Sequence, residues 1–532
     1  MRGRFGRQFV VCAVTAGLVL AACGGDDDTG SGGGPGGADA EVDPNGTVRY
    51  IFTVPPSLDP ALATGTSANL VYDTLLEARE PESGSLLDEP RAGLATSYEF
   101  APDGTYLELQ LRDDVTFHDG TPVDAEAVKV NIERQKTLPA SVNVVALSSV
   151  DRVEVVDPET VRLHLVAGKG AEVPWQLTQS AGMVVSPKAL DAGQDIGLDP
   201  GDSGSGPYSV VSFTPGQSLV LERVEGERWN PEVGMAKRLE LSFVGDQTAR
   251  LNALRSRDAD VVFASHDAYP TVQDLVDQGV AATEFTDEAV GGYGIQWHST
   301  GDMADPLVRE AANLAVDRAA ICETIMNGQC YLPETTQPLP PAHWAYSDRD
   351  DMAPVEFDQD KARELLQEAG IPHPEITISQ SPGLVTASYA PAVQADLEEV
   401  GFEVNLTSQP YTDAGAAFRE GSLQAMSDIP AQPTPDPSID VNSIYAGGKR
   451  LVPEEDLPEF NALADAALDP QLSVSERAEA YGELWKFVGD RYYFMVVAFA
   501  NFSFPHAPNI GGVQSHNTAA PDLRYVYAEA GG

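Results

Sequence analysis

Two groups of residues have the types and spacing of reactive sites. The first, Gly201-Asp202-Ser203-Gly204, has the form of a nucleophilic serine held between glycines. A hydrolase would need a base beside that serine and a third residue to orient the base. The sequence offers no supporting histidine and aspartate framework, and a glycine-rich turn explains the same residues. We therefore predict no catalytic residues. A secreted hydrolase remains an alternative, but the sequence does not supply the base and the orienting residue that it would need.

The second group comprises the histidines, which could bind a metal. His118 and Asp119 are adjacent, but they lie in a turn rich in glycine and proline, where such a pair usually bonds to the local backbone. His266, His298 and His343 show no spacing typical of metal ligands. The sequence therefore predicts neither a metal nor a cofactor.

The N-terminus carries an export signal. Arg2, Arg4 and Arg7 precede an apolar run from Phe9 to Leu20, which is too short to span a bilayer as a mature helix. The following Leu20-Ala21-Ala22-Cys23 resembles a bacterial lipobox, which implies cleavage after residue 22 and lipidation of Cys23. We predict a signal peptide over residues 1–22 and a flexible tether over residues 23–45, rich in Gly and Asp.

Two further cysteines, Cys322 and Cys330, remain beyond the signal. Outside the cytoplasm two remaining thiols tend to pair, so we predict a disulfide that joins the end of a helix to the following loop. A redox or metal pair is the alternative, but no further cysteine or nearby histidine completes such a site.

Composition limits the partners. The 532 residues are enough for two or three domains, and 33 basic against 81 acidic residues give a net charge of −48. Such a surface repels nucleic acid and anionic lipid. The acids could attract cationic ligands or reflect a salty habitat. Because they are spread along the whole chain, we favour the habitat.

A segment from Ala92 to Arg134 predicts a complete local fold. Leu107, Leu109 and Leu111 alternate with polar residues, which indicates a strand with one wet face, and a turn at Gly104 pairs it with the strand before. Asp124 is a plausible N-cap for the helix that follows. Farther along, Pro306 to Met326 predicts an amphipathic helical region.

The sequence of the segment from Ala92 to Arg134, "GLATSYEF..DG..LELQLRDDVTFHDGTPVDAEAV", closely resembles the signature of family 5 extracytoplasmic solute-binding proteins. These are the peptide, nickel and related receptors of ABC importers. Further matches are Ser57-Leu58-Asp59-Pro60, Gly204 to Tyr208, and Arg309 to Arg318. The resemblance implies an α/β fold of the periplasmic binding protein type II kind, with two lobes and a hinge. It implies lobe I at 46–288 and 500–532, with a scaffold sub-domain at about 66–200, and lobe II at 289–499.

In this family the ligand lies between the lobes. The resemblance suggests that residues at the end of the first strand, and residues where the chain crosses between the lobes, line the ligand cleft. Val54 to Pro56 could equally be an ordinary rigid strand end. Tyr293 and Trp297 could equally be buried in the hinge strand. The candidate ligand-binding residues are Val54, Pro55, Pro56, Tyr293, Trp297, Trp344, Tyr411, Asp428 and Gln432.

The family's usual anchor for a peptide amine is not evident. Peptide binders of the family hold the α-amino group with an aspartate, shortly before an acidic residue and proline in lobe II. Counting back from Asp436-Pro437 gives Pro433, and a shift by one gives Gln432. Neither supplies a carboxylate, although Asp428 could substitute from a displaced backbone. A buried ammonium without a carboxylate is unfavourable, so we predict that the usual anchor is not used.

The resemblance implies a monomeric receptor, lipid-anchored at the extracytoplasmic face of the bacterial cell membrane, that binds a small organic solute or peptide and delivers it to an ABC permease complex. A lipid-anchored sensor or chaperone on the same fold is the alternative, because fold does not fix function. A permease encoded beside this chain would favour transport, and a sensor kinase would favour signalling.

Overall fold

The computed structural model describes residues 41–52, 54–62, 67–79, 86–283, 291–381, 386–431, 436–441, 451–500, 503–513 and 521–531. The strands are β1 (Thr47–Phe52), β2 (Leu76–Arg79), β3 (Leu86–Ala92), β4 (Ala95–Phe100), β5 (Tyr106–Leu111), β6 (Val150–Asp157), β7 (Thr160–Leu165), β8 (Tyr208–Thr214), β9 (Ser218–Arg223), β10 (Arg238–Phe243), β11 (Val261–Val262), β12 (Gly291–Trp297), β13 (Glu375–Gln380), β14 (Glu403–Ser408), β15 (Ala425–Ala431), β16 (Phe494–Ala500), β17 (Ile510–Gly511) and β18 (Tyr527–Ala528).

The helices alternate with these strands along much of the chain. They are α1 (Ala125–Thr137), α2 (Val173–Gln176), α3 (Pro187–Asp191), α4 (Gln247–Ser256), α5 (Tyr269–Asp277), α6 (Pro306–Ala315), α7 (Arg318–Thr324), α8 (Gln359–Glu368), α9 (Thr386–Val400), α10 (Tyr411–Arg419), α11 (Pro437–Asp440), α12 (Leu457–Ala466) and α13 (Val474–Asp490). Within the described residues, no helix combines the length and the apolar character that crossing a bilayer requires.

The first large sheet has the strand order β11-β1-β10-β9-β8. β1 lies parallel to both β10 and β11, whereas β10, β9 and β8 are antiparallel neighbours. Val48 and Tyr50 of β1 are buried in the main apolar core, and Ile51 packs on the opposite face against α4 and α5. Parallel strands covered on both faces need apolar residues on both, and β1 supplies them.

A four-stranded antiparallel sheet, β4-β5-β7-β6, carries α1 on one face. The alternation predicted for β5 is confirmed, because Leu107, Leu109 and Leu111 are buried and the residues between them are partly exposed. Gly104 makes the β4–β5 turn with a φ of +69°, and Asp124 caps α1 by accepting a hydrogen bond from the Ala127 N–H at 2.9 Å. The local sequence therefore specifies this hairpin, turn and helix.

The second large sheet has the order β14-β13-β15-β12-β16. β13, β14 and β15 are parallel, with α9 connecting β13 to β14, and the antiparallel β12 lies between β15 and β16. The expected helical region from Pro306 to Met326 is divided into α6 and α7. Val316 is extended (ψ 121°), and Asp317 then caps α7 by accepting from the Ala320 N–H.

Two sequence motifs have structural roles. Asp59 of the Ser-Leu-Asp-Pro turn is 3% exposed and forms two hydrogen bonds to the Arg134 guanidinium at the end of α1. Arg309 is buried and donates to the Met303 carbonyl, just before α6, and to the Arg491 carbonyl, just before β16. Arg318 is also buried and donates to the Asn313 carbonyl, near the break between α6 and α7, and to the Val496 carbonyl of β16. Both motifs thus join elements that are distant in sequence.

Candidate functional site

The chain passes between the two large sheets at the described residues Gly291 and Ala500. These residues pair with each other at one end of β12 and β16. After Ala500 the chain reaches the first sheet's side, where Ser503 bridges to Ala264 and His506 to Val261. Each large sheet and the elements packed on it form one body. A solute held between the two bodies would therefore lie near this end of the second sheet and the carboxyl ends of β1, β10 and β11.

The first sheet contributes an apolar wall at that edge. Val54 is 7% exposed, Pro55 is half-buried, and Pro56 is exposed, while the Pro55 carbonyl accepts a hydrogen bond from the Gly216 N–H at 3.1 Å. Phe243, the last residue of β10, is 55% exposed although it ends a central strand. Sequence reasoning missed Phe243, because the sequence does not show whether an aromatic residue at the end of a strand is buried in the core or exposed. Ligand contact by Val54, Pro55 and Pro56 stays a prediction.

Tyr293 lies where the two bodies meet. It is fully buried on β12, and its ring contacts the His266 ring edge-on, with centroids 5.4 Å apart. The Asn327 side chain donates to the His266 carbonyl at 3.0 Å, a further contact between the two bodies. Burial raises the pKa of the Tyr293 hydroxyl well above its ordinary value, and nearby Tyr389 adds to the shift. Tyr293 is therefore a neutral group at the crossing.

Trp297 is also fully buried, but it ends β12 at the opposite end from Gly291. Its backbone N–H donates to the Tyr493 carbonyl at 3.2 Å, and its side chain belongs to the main apolar core. This position matches the alternative of burial in the strand. Direct ligand contact by Trp297 stays a prediction.

The remaining candidates come from the second body. Trp344 is half-buried, with the Arg477 guanidinium 5.2 Å from its ring centre and the Tyr481 ring packed edge-on at 5.8 Å. Tyr411 begins α10, and Asp428 lies on β15 opposite Gly294. The structure does not describe the side chains of Tyr411 and Asp428. Gln432 and Cys23 lie outside the described residues.

Asp436, the acidic residue before Pro437 that marks the expected place of the amine anchor, has a structural role. It is fully buried, caps α11 through the Ser438 N–H, and lies 2.7 Å from the Arg477 guanidinium, with the Tyr481 hydroxyl donating at 3.1 Å. Burial alone would raise the pKa of Asp436, but Arg477 and the Ser438 hydrogen bonds lower it below its ordinary value overall. Its carboxylate is thus already neutralised by a permanent cation.

The reactive-looking groups have structural partners. The Ser203 hydroxyl is buried 3.2 Å from the Tyr72 hydroxyl. His118 Nε2 lies 2.9 Å from the Gly206 carbonyl, and Asp119 accepts from the Thr121 and Ser186 hydroxyls. Over the described ranges, no group of three or more His, Cys, Asp or Glu side chains could hold a metal ion. Turn and core hydrogen bonds therefore account for these residues.

Comparison with known proteins gives the fold and the relatives. Heme-binding protein A of Haemophilus influenzae is 27% identical over 545 residues, covering 94% of this chain and 95% of that protein. Glutathione-binding protein GsiB of Escherichia coli is 29% identical over 343 residues, or 63% of this chain and 64% of that protein. The chain's match thus spans less than two thirds of the length of GsiB.

A solved structure supports the architecture. DppA of Helicobacter pylori, described as an ABC transporter-associated periplasmic binding protein in complex with the peptide STSA, superposes with a TM-score of 0.78 at 20% identity, covering 91% of this chain and 98% of that one. At that identity the likeness shows the fold. The predicted fold class is confirmed: α/β and like a type II periplasmic binding protein, with two lobes, a hinge and an additional scaffold sub-domain on lobe I.

The family follows from a match that covers more than half of the chain. Residues 89–450 match the family described as bacterial extracellular solute-binding proteins, family 5 Middle. This confirms the resemblance found in the segment from Ala92 to Arg134, and it confirms a receptor role without catalysis, as such proteins are transport receptors. The chain belongs to the family 5 bacterial extracellular solute-binding proteins.

Proposed function

We propose that this chain is a lipid-anchored receptor of an ABC importer, which captures a small organic solute or an oligopeptide between two lobes and delivers it to a membrane permease. The observation that carries the proposal is the pair of strands β12 and β16, which lie side by side where the chain enters and leaves the second large sheet. Two bodies joined by adjacent strands can rotate about them and close on a solute.

The lobe boundaries form part of the proposal. We assign residues 46–288 and 500–532 to lobe I, with the sub-domain at about 66–200, and residues 289–499 to lobe II. The first large sheet and the return segment with Ser503 and His506 support the composition of lobe I. The second large sheet, whose strands all fall between Gly291 and Ala500, supports lobe II.

Export and anchoring complete the proposal. Residues 1–22 are a signal peptide, Cys23 is the lipidated residue, and residues 23–45 are a tether, so a monomer stands at the extracytoplasmic face of the membrane. The last part of the assigned tether, Glu41 to Asp43, pairs with the backbone around Glu529 and so belongs to the body. Cys322 and Cys330 form a disulfide that fixes the loop after α7. Their sulfur atoms are at bonding distance, and their Cα atoms are 6.0 Å apart.

The ligand is a solute that does not depend on the usual amine anchor. Asp436 is occupied by Arg477, and the wall at β1 and β10 presents Pro55, Pro56 and Phe243. Such a wall suits an organic ligand with apolar or ring surface. The names of the relatives, which include a heme-binding and a glutathione-binding protein, are consistent with a broad range of ligands in related proteins.

Native mass spectrometry of the purified protein tests this proposal by detecting a co-purified solute. Calorimetry with glutathione, hemin and the peptide Ser-Thr-Ser-Ala then measures affinity. Phe243→Ala should weaken binding of the identified solute about tenfold, since it removes an aromatic contact. Phe357→Ala is the matched control, because Phe357 is 53% exposed but lies beside α8. Equal effects of both substitutions would contradict the assigned wall.

A further inference from the structure

A junction connects the scaffold sub-domain to lobe II, remote in sequence from the crossing strands. The Ala171 N–H donates to the Leu468 carbonyl at 3.0 Å, and Lys169 Nζ lies 2.6 Å from Asp465 Oδ1. Gly104, at the β4–β5 turn, is close enough that a Cβ there would lie 3.1 Å from the Pro470 ring. Given the proposed division into lobes, on which this inference rests, these contacts join different lobes. Opening the cleft would therefore separate them.

A carboxyl group is buried at this junction. Glu172 directly follows Ala171 and is 3% exposed. Its Oε1 accepts a hydrogen bond from the Ser149 hydroxyl at 2.5 Å, whereas its Oε2 is buried without a hydrogen-bond partner in the part of the chain that the structure describes. An ionised carboxylate with an unbonded oxygen is unfavourable in such a place, and a protonated one is much less so.

The charged groups around Glu172 do not neutralise it. From lobe II, Asp436 repels its negative charge and Arg477 attracts it. Arg477, however, already lies 2.7 Å from Asp436 and donates to the Ala467 carbonyl at 2.9 Å. The Tyr481 hydroxyl also faces this group and donates to Asp436. Lys169 is paired with Asp465.

On the sub-domain side, the groups that act on the pKa of Glu172 are the Ser149 hydroxyl and the Glu172 backbone, neither of which carries a charge. α2, which begins after Glu172, packs on β2 and β3. Glu77 of β2 and Arg91 of β3 pair with each other at 3.1 Å, and Glu77 also pairs with Arg524. Burial, the largest cause, raises the pKa of Glu172, and Asp436 adds to the rise, while the Ser149 hydrogen bond and Arg477 oppose it.

We infer that Glu172 is a proton-binding residue of the closed receptor, so that closing the lobes places one proton from water on its carboxyl group. In the open receptor the groups of lobe II no longer cover Glu172, so solvent reaches its carboxyl group and its pKa is closer to the ordinary value than in the closed state. Because the pKa is higher in the closed state, closure is fully favoured below the open-state pKa. The advantage is lost as the pH rises through the closed-state pKa. Solute capture is therefore stronger in acid.

Hydrogen exchange at the Ala171 amide measures this closure without any ligand. The readout is the protection factor, which is the exchange rate of an unstructured peptide divided by that of the amide at the same pH. In the full-length protein, protection of Ala171 should fall at least tenfold between pH 5 and pH 7.5. One linked proton allows up to about tenfold per pH unit. Glu172→Gln, which cannot ionise, should give high protection that does not change with pH.

Glu159→Gln is the matched control, because Glu159 is an exposed acid of the same sub-domain and should keep the wild-type profile. Amides of the β5–β7 ladder should stay protected throughout, which separates opening from unfolding. If Glu172→Gln fails to fold, Ser149→Ala provides the second test. It removes the hydrogen bond that favours the ionised form, so the loss of protection should move to higher pH.

A wild-type profile that does not change with pH, or a Glu172→Gln variant that keeps the wild-type slope, would overturn the inference. So would an unchanged midpoint in Ser149→Ala. None of these outcomes depends on the identity of the solute. The inference about Glu172 can therefore fail while the calorimetric tests support the receptor function, and the receptor function can fail while the inference about Glu172 holds.

Discussion

At the scale of single residues, the ion pair between Asp436 and Arg477 is central to lobe II. Both side chains are buried, at 0% and 5% exposure, and Arg477 also packs over Trp344 and Tyr481. A buried pair is weak support for stability by itself, but removing one partner leaves an uncompensated charge. The pair therefore fixes the start of α11 to α13.

Arg477→Met should lower the free energy of unfolding by about 3–5 kcal/mol, because it leaves the Asp436 carboxylate buried without its cation. Arg349→Met is the control, since Arg349 pairs with Asp351 and Glu483 at the surface and should lose about 1 kcal/mol or less. Urea unfolding at pH 7 measures both. Similar losses in the two variants would show that the buried pair has no special role.

The same pair predicts an acid response of opposite sign to that of Glu172. The pKa of Asp436 is lower in the folded protein than in the unfolded chain. Its stabilisation is thus present above the unfolded value of about 3.9 and is lost as the pH falls through the folded value. Urea unfolding between pH 6 and pH 3 should show this loss in wild type and a smaller loss in Arg477→Met.

Asp428 gives a residue-scale test of the ligand class. If the receptor does not use an amine anchor, di- to pentapeptides should bind weakly or not at all, and any binding should be sensitive to Asp428→Ala, since no other aligned carboxylate is available. Calorimetry decides this. Micromolar binding that Asp428→Ala leaves unchanged would contradict the prediction, and Asp413→Ala, a change at an exposed acid of α10, is the control.

At the scale of elements, local sequence predicted the β4–β5 hairpin and α1 but not the contacts between segments that are distant along the chain. The β4–β5 hairpin and α1 depend on alternation, a turn glycine and a capping aspartate, all of which act within a few residues. The exposure of Phe243 and the pairing of Asp436 with Arg477 depend on chain segments that meet only in the fold. The break between α6 and α7 was missed for the same reason, since Arg318 is held by carbonyls that include Val496 of β16.

The cap of α1 provides a test of that local control. Asp124→Ala removes the side chain that accepts the Ala127 N–H, and the free energy of unfolding should fall by about 1 kcal/mol. Asp113→Ala is the control, because Asp113 is exposed and lies outside the helix. Urea unfolding of both variants checks the prediction. A loss in Asp113→Ala as large as that in Asp124→Ala would remove the cap as the explanation.

At the scale of the whole molecule, the excess of acids sets the response to salt. With 81 acidic and 33 basic residues, repulsion between like charges opposes the compact state more than the surface ion pairs favour it. Salt shortens the screening length from about 30 Å at 0.01 M to about 3 Å at 1 M. If the charge is an adaptation to a salty habitat, screening should bring the fold to its working stability.

Raising NaCl from 0.01 M to 1 M should therefore raise the free energy of unfolding by at least about 1 kcal/mol, measured by urea unfolding at pH 7. KCl at the same ionic strength is the control, because screening depends on ionic strength and not on the cation. A gain with one cation alone would indicate ion binding in place of screening. A loss of stability in both salts would mean that the surface ion pairs outweigh the repulsion, and the habitat interpretation of the charge would then fail.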